Sequence, residues 1–579
     1  MNTFNRLYPA ALLLSSIIFL HGCTGSPPPD SKKQDLVEVK MANETGSPHP
    51  ADKTAWVPPI AAPAPSTHEK KETGLPGPAA MGMMLQDSSA GRAIHAAAAT
   101  NDLRLPVYPQ LQRESYSAIT ENPFIATSND PLSTFAIDVD TASYANIRRW
   151  LTGGNLPPVG AIRIEEMINY FSYHYPEPDS GPIGLTVELG PCPWQPDNKI
   201  ARIGIKAQDL DRENIPPSNL VFLIDVSGSM NEVNKLPLLQ QSMLLLAGEL
   251  TSQDRVSIVV YAGADQVILV PTAGDRQDEI KEAINALSAG GSTHASSGIV
   301  TAYQLARQSF IKNGNNRIIL ASDGDFNVGV TSRDELERLI SKERESGIFL
   351  TVLGFGQDNY HDDTMEILAD KGNGNYRYID SLLEAKKVLI KERAGTLFTL
   401  ARDVKLQIEF NPSRVGGYRL IGYENRALAD EDFNNDTKDA GEIGAGHRVT
   451  ALYELIPIGA QAIPKVDPLK YQAAMMAGDN SAEVLNVKLR YKPLSSHKSV
   501  LLTLAATDTA ITLASTSDDF RFAVSVAGFG MLLSHSEYAG SLSYAQLITM
   551  ARQSRSTDDD GYRAEFVRLV EMSELLSDK

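Results

Sequence analysis

Cysteine, aromatic residues and basic charge are all scarce in this chain. Only Cys23 and Cys192 are cysteines among 579 residues, so a network of disulfides cannot hold the fold together. Aromatic residues make up 7% of the sequence, and 53 basic residues stand against 71 acidic ones, for a formal charge of −18. A chain with this charge and without a long basic run repels phosphate backbones. We therefore expect no nucleic-acid partner.

The apolar run near the N-terminus is too short to span a membrane. It covers residues 10–20, follows Arg6, and is typical of a secretory signal. It ends in Leu20-His21-Gly22-Cys23, which resembles a lipoprotein signal, in which the cysteine is acylated. The next residue, Thr24, resembles the pattern of lipoproteins sent to the outer membrane of Gram-negative bacteria.

This resemblance implies a chain anchored to the membrane through lipidated Cys23 and facing the periplasm. An ordinary cleaved signal peptide with a chance cysteine is the alternative. If Cys23 carries lipid, Cys192 has no disulfide partner, and we expect it to be buried and inert.

The length of the chain predicts two or three folded domains plus tails. A segment rich in proline, alanine and polar residues follows the signal and cannot bury enough apolar surface to fold. The predicted parts are a signal peptide (1–22), a disordered tether (23–115), an N-terminal module with strands (116–218), an α/β domain (219–395), a β-rich region (396–515) and C-terminal helices (516–579).

Hydrophobic periodicity predicts an α/β fold placed inside a β-sandwich. Buried strands alternate with helices in the middle of the chain, which is typical of a mainly parallel sheet wrapped by helices, with ligands at the carboxyl ends of its strands. The predicted strands there are 220–224, 255–261, 317–321, 348–354 and 376–379, with an antiparallel edge at 266–270 and helices at 236–250, 297–309, 332–345 and 382–391.

Alternation with period two occurs on both sides of this region, so strands from before and after it are expected to form one sandwich. These strands are 134–140, 184–189, 200–206, 404–410, 418–423, 448–456, 484–491 and 498–504. Further helices are predicted at 142–151, 163–173, 519–533, 544–552 and 562–576.

Three oxygen-bearing side chains follow the first strand of the α/β region. Asp225, Ser227 and Ser229 alternate there, and a carboxylate with two hydroxyls suits a small hard cation. Asp and Ser also cap helices, so this pattern alone is weak. Thr293 at the start of a later helix and Asp323 after the next strand complete a set of five.

These five residues reproduce the metal-ion-dependent adhesion site (MIDAS) of von Willebrand factor type A (VWA) domains, in order and approximate spacing. The resemblance implies that Ser227, Ser229 and Thr293 hold Mg²⁺ directly, that Asp225 and Asp323 act through water, and that a partner's acidic residue completes the site. Mn²⁺ and Ca²⁺ remain open. The resemblance also implies that helix 382–391 responds to binding.

The similarity extends beyond the α/β region. Residues 133–173, including Arg163-Ile-Glu-Glu-Met-Ile-Asn-Tyr170, and the segments 444–454 and 519–533 are similar to YfbK-type bacterial VWA lipoproteins. The function implied is metal-dependent binding of a protein partner in the cell envelope, without enzymatic activity.

Two alternatives remain open. One is a structural envelope protein whose fold the metal stabilises. The other is a metal-dependent hydrolase, since Asp138-Val139-Asp140-Thr141 is similar to a phosphatase pattern, although Ala142 stands where that pattern has Thr or Val. Phosphate-binding loops, zinc motifs and nucleophile elbows are missing from the sequence, which argues against catalysis and nucleotide binding.

Overall fold

A computed structural model describes residues 118–577, together with Glu114 and Tyr116, apart from 138–139, 211–214, 263–264, 291–294, 325–332, 358–361, 393–394, 396–397, 439, 461, 464–481, 495, 497 and 509–510. Cys23 and, apart from Glu114, the predicted signal and tether lie outside the described residues, as do Thr293 and Asp138.

The described strands are β1 (Ile125–Ala126), β2 (Leu132–Ala136), β3 (Ile183–Pro191), β4 (Lys199–Ala207), β5 (Ser218–Asp225), β6 (Arg255–Tyr261), β7 (Asp265–Ala273), β8 (Asn315–Ser322), β9 (Ile348–Phe355), β10 (Tyr376–Ile379), β11 (Thr399–Phe410), β12 (Val415–Ile421), β13 (Ile443–Gly444), β14 (Arg448–Pro457), β15 (Glu483–Pro493) and β16 (Val500–Thr507).

The described α-helices are α1 (Ala142–Thr152), α2 (Ile164–Asn169), α3 (Leu236–Ala247), α4 (Gln277–Asn285), α5 (Ala295–Gln308), α6 (Arg333–Glu345), α7 (Asp362–Lys371), α8 (Leu382–Lys386), α9 (Asp518–Leu533), α10 (Tyr544–Gln553) and α11 (Tyr562–Ser577). A π-helix over Lys387–Lys391 continues α8.

A six-stranded sheet in the order β10-β9-β8-β5-β6-β7 forms the α/β part. Strand β5 pairs in parallel with β6 and β8, and β7 adds the predicted antiparallel edge. Alternate residues of β5 bury opposite faces: Phe222 packs on the side of α3, and Leu223 packs on the side of α5. Parallel strands place their carboxyl ends at one edge of the sheet, where the candidate site is expected.

Two further sheets form a sandwich from strands on both sides of this insert. One has the order β1-β12-β14-β4-β3, and the other joins β13, β11, β15 and β16, with β2 pairing β11. Strand β4 pairs with β14 from Lys199↔Leu455 to Lys206↔Arg448. Because strands far apart in sequence share both sheets, the predicted insertion of a mainly parallel α/β fold into a β-sandwich is confirmed.

Helices α1, α2, α9, α10 and α11 share one apolar core. Phe529 and Phe566 lie edge to face in it, with ring centroids 5.5 Å apart. Cys192 belongs to the same core and is buried with a free thiol, as predicted. Over the residues that the structure describes, every helix is too short or too polar to cross a membrane.

The predicted helix over 163–173 was too long. Helix α2 ends at Asn169, and in the irregular chain that follows, Phe171, Tyr173 and Tyr175 are buried in the core while the residues between them are exposed. Three aromatic side chains at a spacing of two bury more apolar surface in an extended chain than on one side of a helix. The strand predicted at 134–140 is also displaced, since β2 covers Leu132–Ala136.

Candidate metal centre

Asp225 ends β5 and is completely buried. The backbone N–H of Ser227 donates to Oδ1 of Asp225 at 2.8 Å. This hydrogen bond closes a turn at the end of the strand. The hydroxyl oxygens of Ser227 and Ser229 then lie 3.0 Å apart, the first buried and the second exposed. The three predicted oxygen ligands of this loop therefore lead from the buried end of the strand to the surface.

Asp323 directly follows β8, the neighbouring parallel strand. Ser322, the last residue of β8, donates its hydroxyl to Oδ2 of Asp225 at 3.2 Å and so ties the two strand ends together. Burial, together with the negative charge of Asp323, raises the pKa of Asp225 to about 6, while the amide and hydroxyl of Ser227 oppose the shift. Two buried carboxyl groups thus share one small site.

Lys235 is a part of this site that the sequence did not reveal. Its ammonium lies 3.1 Å from Oδ2 of Asp323, and its side chain is buried. Gly356, at φ = +81°, lies against the lysine stem, where a Cβ would collide with Lys235. A lone lysine before an apolar helix has no diagnostic spacing, so only the fold shows its position.

The loop that carries Thr293 begins beside the site. The N–H of Gly290 donates to the carbonyl oxygen of Val226 at 2.7 Å. Thr293 itself lies outside the described residues, and its place among the ligands stays a prediction. The structure therefore brings together four of the five predicted residues: Asp225, Ser227, Ser229 and Asp323.

The donor set fits a small divalent cation. Asp225 and Asp323 offer carboxylate oxygens, Ser227 and Ser229 offer neutral oxygens, and magnesium prefers such ligands together with water. Among the described residues, no cluster of three or more His, Cys, Asp or Glu side chains suited to a metal is found. A cation held there keeps most of its charge available for an incoming anion.

The phosphatase-like segment has a structural role at Asp140. This carboxylate is buried, and its Oδ1 accepts the N–H of Tyr376 at 2.7 Å, which joins the segment before α1 to the edge strand β10. A side chain committed to holding a strand is poorly placed for acid catalysis. Asp138 lies outside the described residues.

Family models match three stretches of the chain. A von Willebrand factor model matches residues 110–202, the von Willebrand factor type A domain matches 219–390, and the C-terminal model of the uncharacterized protein YfbK matches 395–576. Fold and sequence together define a protein with a VWA domain, a class that mediates protein–protein interaction or scaffolding.

Comparison with known relatives identifies a family within this class of VWA proteins. The uncharacterized protein YfbK of Escherichia coli (strain K12) is 44% identical over 473 residues, which cover 80% of this chain and 81% of the relative. The chain therefore belongs to the YfbK family of VWA proteins. Inter-alpha-trypsin inhibitor heavy chain H4 of Sus scrofa is 28% identical over 148 residues, covering 24% of this chain and 16% of its own length. A solved von Willebrand factor type A structure from Catenulispora acidiphila covers 66% of this chain and 89% of its own, with 14% identity and a TM-score of 0.37.

Proposed function

We propose that this chain is a lipid-anchored envelope protein that binds an acidic side chain of a partner protein through a divalent cation, Mg²⁺, held at the candidate metal centre. The observation that carries the proposal is the convergence of Asp225, Ser227, Ser229 and Asp323 at the carboxyl ends of two adjacent parallel strands. Thr293 is the fifth proposed ligand. Lipidated Cys23 anchors the chain in the outer membrane, facing the periplasm.

The chemistry favours binding over catalysis. Hydroxyl ligands leave the cation strongly positive, so it attracts a partner's carboxylate, and Ser229 lies on the exposed side of the site where such a group arrives. The polar side chains beside the site already have structural partners: Ser322 donates a hydrogen bond to Asp225, and Lys235 forms an ion pair with Asp323. We therefore propose a non-enzymatic binding protein that takes neither nucleotide nor nucleic acid.

Cross-linked capture from intact envelopes tests this function. Wild-type protein is compared with Asp225→Ala and with Ser229→Ala, a milder change that removes an exposed hydroxyl. Asp334→Ala, on the exposed start of α6, is the matched control. We expect wild type and the control to capture the same defined protein with Mg²⁺ and to lose it with a chelator, and the two site variants to lose it in both conditions.

The same capture experiment distinguishes partner binding from the structural alternative, in which the metal only stabilises the fold. A metal that only stabilises the fold also raises the melting temperature of wild type, because any ligand of the native state does so. Melting therefore does not distinguish the two, whereas partner capture does. Equal capture by wild type, both site variants and chelated protein would reject the binding function.

A further inference from the structure

A cavity lies away from the metal centre. Its volume is about 450 Å³, within the range of small-molecule sites. Its walls come from β10, the π-helix over Lys387–Lys391, the turn before β14 and the segment that leads into α11. Strand β10 is three strands from β5, so this cavity is roughly 14 Å across the sheet from the metal centre at a strand spacing of about 4.8 Å.

Arg377 in the wall of this cavity has an unsatisfied guanidinium group. The residue is 3% exposed, and its Nε and Nη1 lack hydrogen-bond partners among the described residues. Arg148, which is similarly buried, is instead paired, with bonds to Asp380 and Glu384 at 2.6 and 2.7 Å. Leaving buried charged donors without partners is costly, so their persistence points to a ligand that accepts from them.

Three titratable side chains, Lys387, Glu392 and His447, lie close to Arg377 in the cavity wall. Lys387 lies 2.7 Å from Oε1 of Glu392, and its ammonium is 3.9 Å from the centroid of the Tyr170 ring. Glu392 thus pairs with Lys387 and is also close enough to Arg377 for the two charges to attract each other. Burial lowers the pKa of His447 to about 4, aided by the charge of Arg377 and opposed by Glu392, so the imidazole is neutral and able to accept or donate a hydrogen bond.

Acidic residues also line the cavity, but most of them are already engaged. Asp558 accepts the backbone N–H groups of Arg563 and Ala564 at 3.1 and 2.8 Å. Asp560 pairs with Lys391, and Asp209 lies 2.9 Å from Lys206. None of these bonds involves Nε or Nη1 of Arg377, which stay without an acceptor among the described residues.

We propose that this cavity binds a small organic anion whose carboxylate or phosphate group accepts hydrogen bonds from Nε and Nη1 of Arg377. Carboxylate and phosphate share the oxygen geometry that matches the guanidinium fork. The cavity exceeds the size of one acid group, so the rest of the molecule lies against Tyr170 and His447. This site is independent of the metal-dependent function proposed above.

Melting and calorimetric titrations test the proposal on the whole protein. The probes are inorganic phosphate and succinate, compared with sodium chloride at equal ionic strength so that general screening is removed. Arg377→Met removes the charge with little loss of volume, Arg377→Lys keeps the charge without the fork, and Arg276→Met is the control because Arg276 is exposed. We expect at least one probe to raise the melting temperature of wild type and of the control equally.

The two Arg377 variants should differ from wild type, and from each other, in how their melting temperatures respond to the probes. Arg377→Met should melt no lower than wild type without a probe, because it removes buried donors that lack partners, and it should lose the response to the anion. Arg377→Lys should retain a weaker response. A preference for phosphate or succinate identifies the acid group. The proposal is overturned if neither probe binds wild type, if Arg377→Met responds as wild type does, or if Arg377→Met unfolds.

Discussion

The ammonium of Lys235 lies 3.1 Å from Oδ2 of Asp323, and both side chains are buried. This ion pair places a positive charge of the chain beside a carboxylate that we propose as a ligand for a divalent cation. The two cations repel each other, so the lysine sets how strongly the site attracts metal.

Replacing Lys235 with Met should therefore have two opposite effects. Without divalent cation, the variant should lose about 3–5 kcal/mol of stability, because Asp323 stays buried after losing the positive charge of Lys235. With Mg²⁺, it should gain more in melting temperature than wild type and respond at lower concentration. Magnesium titrations followed by thermal unfolding measure both effects.

Two further variants complete this experiment. Lys312→Met, at an exposed position of the same domain, should behave as wild type. Gly356→Ala should shift the metal response in the same direction as Lys235→Met, because the added methyl group displaces the lysine stem. An unchanged magnesium response in Lys235→Met would contradict the assigned role.

Arg163 joins the N-terminal helix α2 to α7 of the VWA domain. Its guanidinium lies 2.5 Å from Asp362, 3.1 Å from Glu366 and 3.2 Å from Glu166. Arg163→Met should destabilise the protein by about 3–5 kcal/mol, because three buried carboxylates lose their shared cation. Arg276→Met breaks only an exposed pair with Glu279 and should cost less than about 1 kcal/mol. Urea unfolding measures the difference, and equal losses would argue against a structural role for Arg163.

Glu165 should make the protein less stable as the pH rises. Burial, together with the negative charges of the nearby Glu424 and Glu166, raises the pKa of this carboxyl group from 4.5 to about 8. Between these values the folded chain holds a proton that the unfolded chain releases, so stability contributed by Glu165 is complete below about pH 4.5 and falls until about pH 8.

Glu165→Gln keeps the shape of the protonated side chain and removes this dependence. The variant should melt higher than wild type at pH 8 and at nearly the same temperature at pH 4.5, when melting is followed at a series of pH values. Glu282→Gln, exposed on α4, is the control and should leave the profile unchanged. Parallel profiles for wild type and Glu165→Gln would refute the buried-carboxyl explanation.

The two cysteines provide a matched test of the proposed anchor. Wild type and Cys192→Ala should incorporate labelled palmitate in growing cells and sediment with membranes, because each buried CH₂ of an acyl chain contributes about 0.8 kcal/mol to membrane binding. Cys23→Ala should lose both properties. Label on Cys23→Ala, or sedimentation of that variant with membranes, would show that another segment anchors the chain.

The sequence predicted much of the fold because its periodic patterns were strong. Strands such as β6, at Arg255–Tyr261, were found within their observed bounds, and the rule that parallel strands end at one edge placed Asp225 near Asp323. Single charged residues were not predictable. Lys235 pairs with a carboxylate that is distant in sequence, and two donor atoms of Arg377 lack acceptors. Both facts become visible only in the folded structure.

The interleaved sandwich imposes an order on folding. Strand β4 needs β14, whose paired residues follow about 250 positions later in the chain, from Lys206 to Arg448. The parallel strands of the VWA domain lie between β4 and β14 and have their partners nearer in sequence. They can therefore pair before β14 is available to β4. As the chain emerges from synthesis or export, its sandwich is therefore completed after the domain it encloses, although it contains the first strands to appear.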